Sequence, residues 1–251
     1  MTKLPSLEEM LKAGMHFGHT SSRWHPKMAQ YIFGLRQGIH IVDLEKTQKL
    51  LGEALTFIEG ICARGGKVLL VGTKPQAKEA IKKAAEACGM PYVSERWLGG
   101  TLTNFTQIKK TVKVLKGLKD QRDKGELRKY TKKEQLLITR QISDMEKKFG
   151  GIQNMDKLPE AIFVVDIKTE KTVVDEAVSM GTKVIALCDT NVNPSLIDYV
   201  IPSNDDAINA IEMICALVAE AVKSGAAKFV PVEKKVVHTT TATPITKSIN
   251  E

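Results

Sequence analysis

The chain has 251 residues, 43% of them hydrophobic and 26% charged, which is the composition of an ordinary globular protein. Its net charge of +8 and isoelectric point near 9.2 favour anionic partners. No secretory signal pattern and no apolar run approaching a membrane span is present, so we expect a cytoplasmic protein without membrane contact. The four cysteines form no C-x-x-C pair, which favours reduced, buried thiols over disulfides.

A short helix and a β-hairpin are predicted in the first part of the chain. Ser6 and Glu9 have the spacing of a capping box, so a helix should begin after Ser6. Apolar residues at 31–35 and 39–42 flank a turn that contains glycine, which predicts two antiparallel strands. Asp43 is then placed to cap a longer amphipathic helix.

Between these elements, the segment from His16 to Lys27 is predicted to be a loop. It mixes aromatic, imidazole and cationic groups, as a surface that stacks on RNA bases and holds phosphates would. The alternative is that the aromatic rings only pin the loop to the core, which we expect for Phe17. A zinc site is a further alternative, although no cysteine is near and no recognised zinc spacing occurs among its candidate ligands, His16, His19 and His25.

Five short apolar segments alternate with helical patterns in the rest of the chain. Residues 67–71 are almost entirely apolar, as a strand buried on both faces of a parallel sheet must be. The other strands are predicted near residues 91–94, 161–165, 183–187 and 199–201. The last helix is predicted to begin after Asn204, Asp205 and Asp206, because acids at its first turn suit the helix dipole. The alternation predicts a doubly wound α/β fold with a five-stranded parallel sheet.

Residues 104–149 interrupt this alternation between the second and third parallel strands. Their apolar residues recur every three or four positions in two runs, which predicts an inserted antiparallel coiled-coil hairpin. The segment holds 14 Lys and Arg against 6 Asp and Glu, so it carries the whole positive excess of the chain. We therefore predict a discontinuous body (1–103 and 150–230), a basic insertion (104–149) and a flexible tail (231–251).

The carboxyl ends of the parallel strands raise the alternative of an α/β enzyme or sensor that binds a nucleotide or a sugar phosphate. Gly72, Thr73 and Lys74 lie at a predicted helix N-terminus and could hold a phosphate. Asp166 and the segment 189–191 could bind a metal or act as acid and base, but we expect them to form turns and helix caps instead. No G-x-G-x-x-G, Walker A or G-x-S-x-G motif occurs. A third alternative is a protein-interaction scaffold that acts through the coiled coil alone.

The nonamer 96–104, which leads into the basic hairpin, belongs to an ordered set of motifs along residues 6–224. The other stretches of the set are 13–19, 26–28, 38–47, 71–74, 158–159, 189–191 and 201–206. Together these motifs resemble the bacterial small-subunit ribosomal protein S2 family. One departure is His25, where the family commonly has Asn.

The resemblance implies a flavodoxin-like order of the parallel sheet and a structural, non-catalytic role without a cofactor. It also implies binding to small-subunit ribosomal RNA and to neighbouring ribosomal proteins, including the large RNA-binding ribosomal protein S1, rather than homo-oligomers.

The candidate RNA-binding residues combine the motifs with the charge pattern. Cations are expected at phosphates, the two tryptophans at bases or beneath the loops, and the paired glycines where backbone approaches RNA. The hairpin lysines would add a sequence-independent, salt-sensitive attraction. The full set is His19, Arg23, Trp24, Lys27, Arg36, Lys74, Arg96, Trp97, Gly99, Gly100, Asn104, Lys109, Lys110 and Lys113.

Overall fold

A small antiparallel sheet and a short helix form the N-terminal part of the computed structural model, which describes residues 3–229. Helix α1 (Leu7–Lys12) begins after Ser6, whose side chain and that of Glu9 form the predicted capping box. The sheet has the order β1-β3-β2, with strands β1 (Phe17–Thr20), β2 (Ile32–Arg36) and β3 (Ile39–Val42). The prediction of a continuous loop over residues 16–27 is therefore wrong at Phe17–Thr20.

Phe17 also differs from its expected role. The side chain keeps 48% of its surface exposed and lies against the ring of His16, with 3.9 Å between the ring centroids. The reason is its place on a strand at the edge of the small sheet rather than in a loop folded onto the core.

The five predicted parallel strands form one sheet of order β5-β4-β6-β7-β8, which confirms the flavodoxin-like arrangement. Its register sets Leu70 beside Phe163 and Phe163 beside Ile185. The strands are β4 (Val68–Val71), β5 (Tyr92–Val93), β6 (Ala161–Val165), β7 (Lys183–Cys188) and β8 (Tyr199–Pro202). The remaining helices are α2 (Leu44–Ala63), α3 (Pro75–Cys88), α4 (Phe105–Asp123), α5 (Lys132–Phe149), α6 (Lys171–Met180) and α7 (Ile208–Lys228).

Each face of the parallel sheet has its own hydrophobic core, because successive side chains of a strand point to opposite faces. On one face Leu70 and Phe163 pack with α2, α3 and α7. On the other face Leu69 and Ile162 pack with α6 and with the apolar residues of α4 and α5. Both faces are thus covered, which explains why these strands are apolar throughout.

Helices α2 and α7 approach each other closely. A Cβ atom on Gly225 would lie only 2.5 Å from the backbone oxygen of Glu59, so only glycine fits at this point of α7. The hydroxyl of Ser224 donates to Glu59 Oε1 at 2.9 Å, and Lys228 also pairs with this carboxylate. The two helices therefore form one layer of the body although they stand far apart in the sequence.

The basic insertion consists of α4 and α5, which run antiparallel. Lys119 pairs with Glu146 at 2.6 Å, whereas the earlier Lys109 donates to the later backbone oxygen of Asp156 at 3.1 Å. A short 3-10 turn (Glu126–Lys129) joins the helices, and their buried side chains are Ile108, Val112, Leu115, Ile142 and Phe149. The supercoil of a coiled coil and the division into body and insertion stay predictions.

Within residues 3–229, no helix is both long and apolar enough to span a bilayer. All four cysteines lie in this range and are free thiols, and three of them are buried. The predicted flexible tail, residues 231–251, lies outside the described residues.

Candidate nucleic-acid interface

The nonamer 96–104 forms most of the loop between β5 and α4, and one carboxylate on α6 accepts hydrogen bonds from this loop. Glu176 Oε1 accepts hydrogen bonds from the indole N–H of Trp97 at 3.1 Å and from the backbone N–H of Gly100 at 2.8 Å. Its Oε2 accepts from the backbone N–H groups of Leu102 and Thr103, at 3.0 and 3.2 Å, and from the Thr103 hydroxyl at 3.1 Å. We call residues 97–103 the anchored loop.

These bonds favour the ionised form of Glu176. Burial alone would raise the pKa of the carboxyl, but the donors from Gly100, Trp97, Leu102 and Thr103 outweigh it and hold the pKa below its ordinary value. The carboxylate is therefore a fixed negative charge beneath the loop.

The anchored loop separates its residues into inner and outer sets. Trp97 is only 8% exposed, so its ring packs in the core beneath the loop rather than facing solvent. Gly100 has φ +90°, a conformation that residues with a Cβ rarely adopt, and it sits in the turn that leads to α4. Gly99 within the loop is exposed, as are Arg96 and Asn104, which flank it on either side.

Lys74 is surrounded by carboxylates at the carboxyl ends of the strands. Its ammonium lies 2.8 Å from Asp205, 2.6 Å from Asp206 and 3.9 Å from Asp166, and its side chain is 16% exposed. Burial raises the pKa of Asp205 to about 6, although the hydrogen bond from Lys74 opposes this rise. Helix α7 begins at Ile208, after Asp205 and Asp206 as predicted, but its first turn itself has no acidic residue.

His19 joins the same cluster from strand β1. Its Nδ1 lies 2.9 Å from Asp189 Oδ2, and its Nε2 lies 3.7 Å from Asp206 Oδ2. The hydrogen bond to Asp189 raises the pKa of His19, since burial opposes the rise only in part. Among the described residues, His19, Asp189 and Asp206 are the only group with metal-ligand spacing. His16, His19 and His25, the ligands considered for zinc, do not form such a group.

The other two histidines are engaged or placed differently. His25 Nδ1 accepts a hydrogen bond from the backbone N–H of Lys27 at 3.2 Å. His16 Nδ1 is buried without a hydrogen-bond partner, and burial lowers the pKa of this imidazole. Neither imidazole belongs to the group that His19 forms with Asp189 and Asp206.

Several predicted contact residues lie exposed in and beside the antiparallel sheet. Arg23 and Arg36 are exposed, and the Lys27 ammonium donates to the Ser195 hydroxyl at 2.7 Å. Trp24 is 37% exposed, with its ring centroid 5.1 Å from that of His40. Arg23 and Lys27 thus lie exposed on either side of one accessible aromatic ring, that of Trp24.

The hairpin lysines lie on the outer face of α4. Lys110 and Lys113 are exposed, while Lys109, also exposed, contacts the Asp156 backbone oxygen and lies 5.6 Å from the Phe105 ring centroid. Their charges are therefore available to an anion that approaches this helix.

Two features of this region were missed from the sequence. Glu176 lies inside an unremarkable helical pattern, and its donors stand more than 70 residues away, so no local signal marks it. On β2, Phe33 is 80% and Leu35 58% exposed. Residues at i and i+2 of a strand lie on the same face, so the sequence indicates that Phe33 and Leu35 share a face. It does not indicate whether that face is exposed or covered.

Comparison with known proteins gives one consistent result. Residues 10–225 match the family model described as Ribosomal protein S2. The small ribosomal subunit protein uS2 of Solidesulfovibrio magneticus is 46% identical over 228 residues, covering 91% of this chain and 88% of that protein. The protein of the same name from a Roseiflexus species is 50% identical over 223 residues, covering 89% and 85%. The chain belongs to the ribosomal protein S2 family.

Proposed function

We propose that this chain is a structural component of the small ribosomal subunit, where it binds ribosomal RNA and neighbouring ribosomal proteins. Membership of the S2 family supports this role over an enzyme. The single observation that carries RNA binding is the concentration of the whole positive excess of the chain in residues 104–149, with lysines exposed along α4.

The residues that we propose to contact RNA are those of the predicted set that are exposed. Arginine and lysine side chains hold phosphates, and Trp24 stacks on an accessible base. The set comprises Arg23, Trp24, Lys27, Arg36, Arg96, Gly99, Asn104, Lys109, Lys110 and Lys113. His19, Lys74, Trp97 and Gly100 have polar groups that are bound internally, so in this proposal they shape the surface instead of touching RNA.

Binding of the large ribosomal protein S1 and the absence of homo-oligomers complete the proposal. The family resemblance supports both. The subunit functions in the cytoplasm, where we expect the protein to be found.

The enzyme or sensor alternative is less well supported by the strand-end geometry. A phosphate at Gly72–Lys74 would enter a cluster in which Asp166, Asp205 and Asp206 already surround the Lys74 ammonium. A phosphate that reached the Lys74 ammonium would therefore also lie close to these carboxylates, and their negative charges would repel it.

The first test is sedimentation of a cell lysate through sucrose at low and high salt. We expect the protein to migrate with small subunits and to be lost stepwise as salt rises, because counterions compete with phosphate contacts. Migration near 27.7 kDa at both salt concentrations would contradict the ribosomal role.

The hairpin lysines can then be tested separately. Replacing Lys109, Lys110 and Lys113 by Gln should reduce the salt dependence of binding to small-subunit ribosomal RNA by about 2 in the log–log slope. A matched control replaces Lys49, Lys82 and Lys223, three exposed lysines outside the hairpin, by Gln. The control changes net charge equally and should leave the slope unchanged. Equal slopes for both triple variants would refute the role of the hairpin.

A further inference from the structure

The anchored loop has few backbone partners of its own. Within it, the Thr101 N–H donates to the Leu98 oxygen at 3.0 Å, and at its end the Asn104 N–H donates to the Gly100 oxygen at 2.8 Å. The N–H groups of Gly100, Leu102 and Thr103 instead donate to Glu176, as does the Trp97 indole. One side chain of α6 therefore decides the conformation of a segment that has no regular secondary structure.

Only a carboxylate satisfies this set of donors. Its two oxygens carry acceptor sites and no hydrogen, whereas glutamine replaces one oxygen with an NH2 donor. Glu176→Gln would keep the size of the side chain. In either orientation of the amide, donors of the loop would face another donor, and buried N–H groups would lose their acceptor.

The anchor acts from the inner side while the outer side stays accessible. Trp97 and Leu102 are buried, and Arg96, Gly99 and Asn104 are exposed at or beside the loop. A loop fixed before binding loses less conformational entropy when RNA binds than a loop that must be ordered at that moment.

We propose that Glu176 is a positioning residue for RNA binding, which fixes the anchored loop so that Arg96, Gly99 and Asn104 meet the RNA together. This inference rests on the proposed RNA-binding function. Glu176 itself touches no RNA, and it acts through the loop.

The test measures the affinity of the full chain for small-subunit ribosomal RNA at a temperature where circular dichroism shows each variant folded. Glu176→Gln should weaken binding about tenfold, since preorganisation is lost. The matched control is Glu170→Gln, which changes another buried carboxylate of the same region. Glu170 accepts from the Thr73 backbone and hydroxyl, not from the loop, and its variant should bind as the wild type does.

A double-mutant cycle separates positioning from a general loss of structure. Arg96→Gln should weaken binding in the wild-type chain and add almost nothing in the Glu176→Gln chain, because the loop no longer presents Arg96. If Arg96→Gln costs the same in both backgrounds, or if folded Glu176→Gln binds normally, the inference is overturned. If the wild-type chain itself does not bind the RNA, the proposed function fails instead.

If Glu176→Gln does not fold, Trp97→Phe replaces it. This variant keeps an aromatic ring and removes the indole N–H that donates to Glu176 Oε1. The expected change is a smaller loss of affinity with the same coupling to Arg96→Gln. Purely additive effects of Trp97→Phe and Arg96→Gln would again contradict the positioning role.

Discussion

At the scale of single residues, the strand-end cluster joins parts of the chain that sequence separates. His19 comes from the antiparallel sheet, Lys74 follows β4, and Asp189 and Asp205 follow β7 and β8. Because these groups are largely buried, an ion pair among them stabilises the fold only when each charge also keeps its other hydrogen-bond partners. The cluster therefore ties the small sheet to the parallel sheet through charge and hydrogen bonds.

The pairing of His19 predicts a pH-dependent contribution to stability. Its pKa in the folded protein lies above the ordinary value of 6.5, so the folded state binds the proton more tightly than the unfolded state. The stabilisation is fully present below pH 6.5 and is lost as pH rises through the folded-state pKa. His19→Gln should therefore lower the free energy of unfolding more at about pH 5.5 than at about pH 8.5.

Urea unfolding of both proteins at the two pH values measures this difference. Comparison with the wild type at each pH removes the contributions of groups that do not interact with His19. An equal cost of His19→Gln at both pH values would contradict the prediction.

At the scale of elements, apolar periodicity predicted the hairpin helices well, because their buried residues recur at helical spacing. The same reasoning missed β1. Its sequence, Phe17 to Thr20, has one apolar side chain, and that side chain is exposed. The strand forms because β3 supplies backbone partners, with Phe17 opposite Ile41, and such pairing leaves no local trace in a four-residue segment.

The hairpin seam can be tested with two neighbouring residues of α4. Leu115 is fully buried and Val114 is 54% exposed. Leu115→Ala should reduce the free energy of unfolding by about 3 kcal/mol, through lost apolar contact and a cavity. Val114→Ala should change it by less than about 0.5 kcal/mol. Chemical denaturation of both variants measures the two free energies of unfolding. Similar losses for both would mean that α4 packs through a different face.

At the scale of the whole molecule, the strands and their order agree with expectation for two different reasons. Residues 68–71 and 161–165 are apolar throughout, so burial on both faces could be predicted from composition alone. The order β5-β4-β6-β7-β8 could not, because periodicity carries no information on neighbours, and it came from the family resemblance.

The site was less predictable than the fold. Lys74 has the local appearance of a phosphate ligand, but Asp205 stands 131 positions away and only the folded sheet brings the two together. Glu176 and Trp97 show the same limit, since they are separated by 79 positions. The exposure of a cation such as Arg23 depends on no distant partner, so the local sequence was sufficient to predict that it lies at the surface.

The reactivity of the buried thiols reports unfolding of the whole protein. Burial raises the pKa of Cys62 to about 11 and that of Cys215 to about 12, so both stay protonated and poorly reactive in the folded protein. Cys88 is partly exposed. A thiol reagent at about pH 8 should label Cys88 first and the other cysteines only as the protein unfolds.

Mass spectrometry of the labelled protein over time identifies each cysteine, with complete labelling in denaturant as the control. Labelling of Cys62 or Cys215 as fast as Cys88 in the native protein would contradict the buried arrangement.

The close approach of α2 and α7 has a consequence for how the chain is made. Synthesis proceeds from the N-terminus, so α2 leaves the translating ribosome long before residues 208–228 exist. Until then Gly225 cannot pack against Glu59 and Cys62, and this part of α2 has no cover. A nascent chain arrested before residue 208 should therefore be a substrate for chaperones, because the layer of α2 and α7 can form only after α7 has been synthesised.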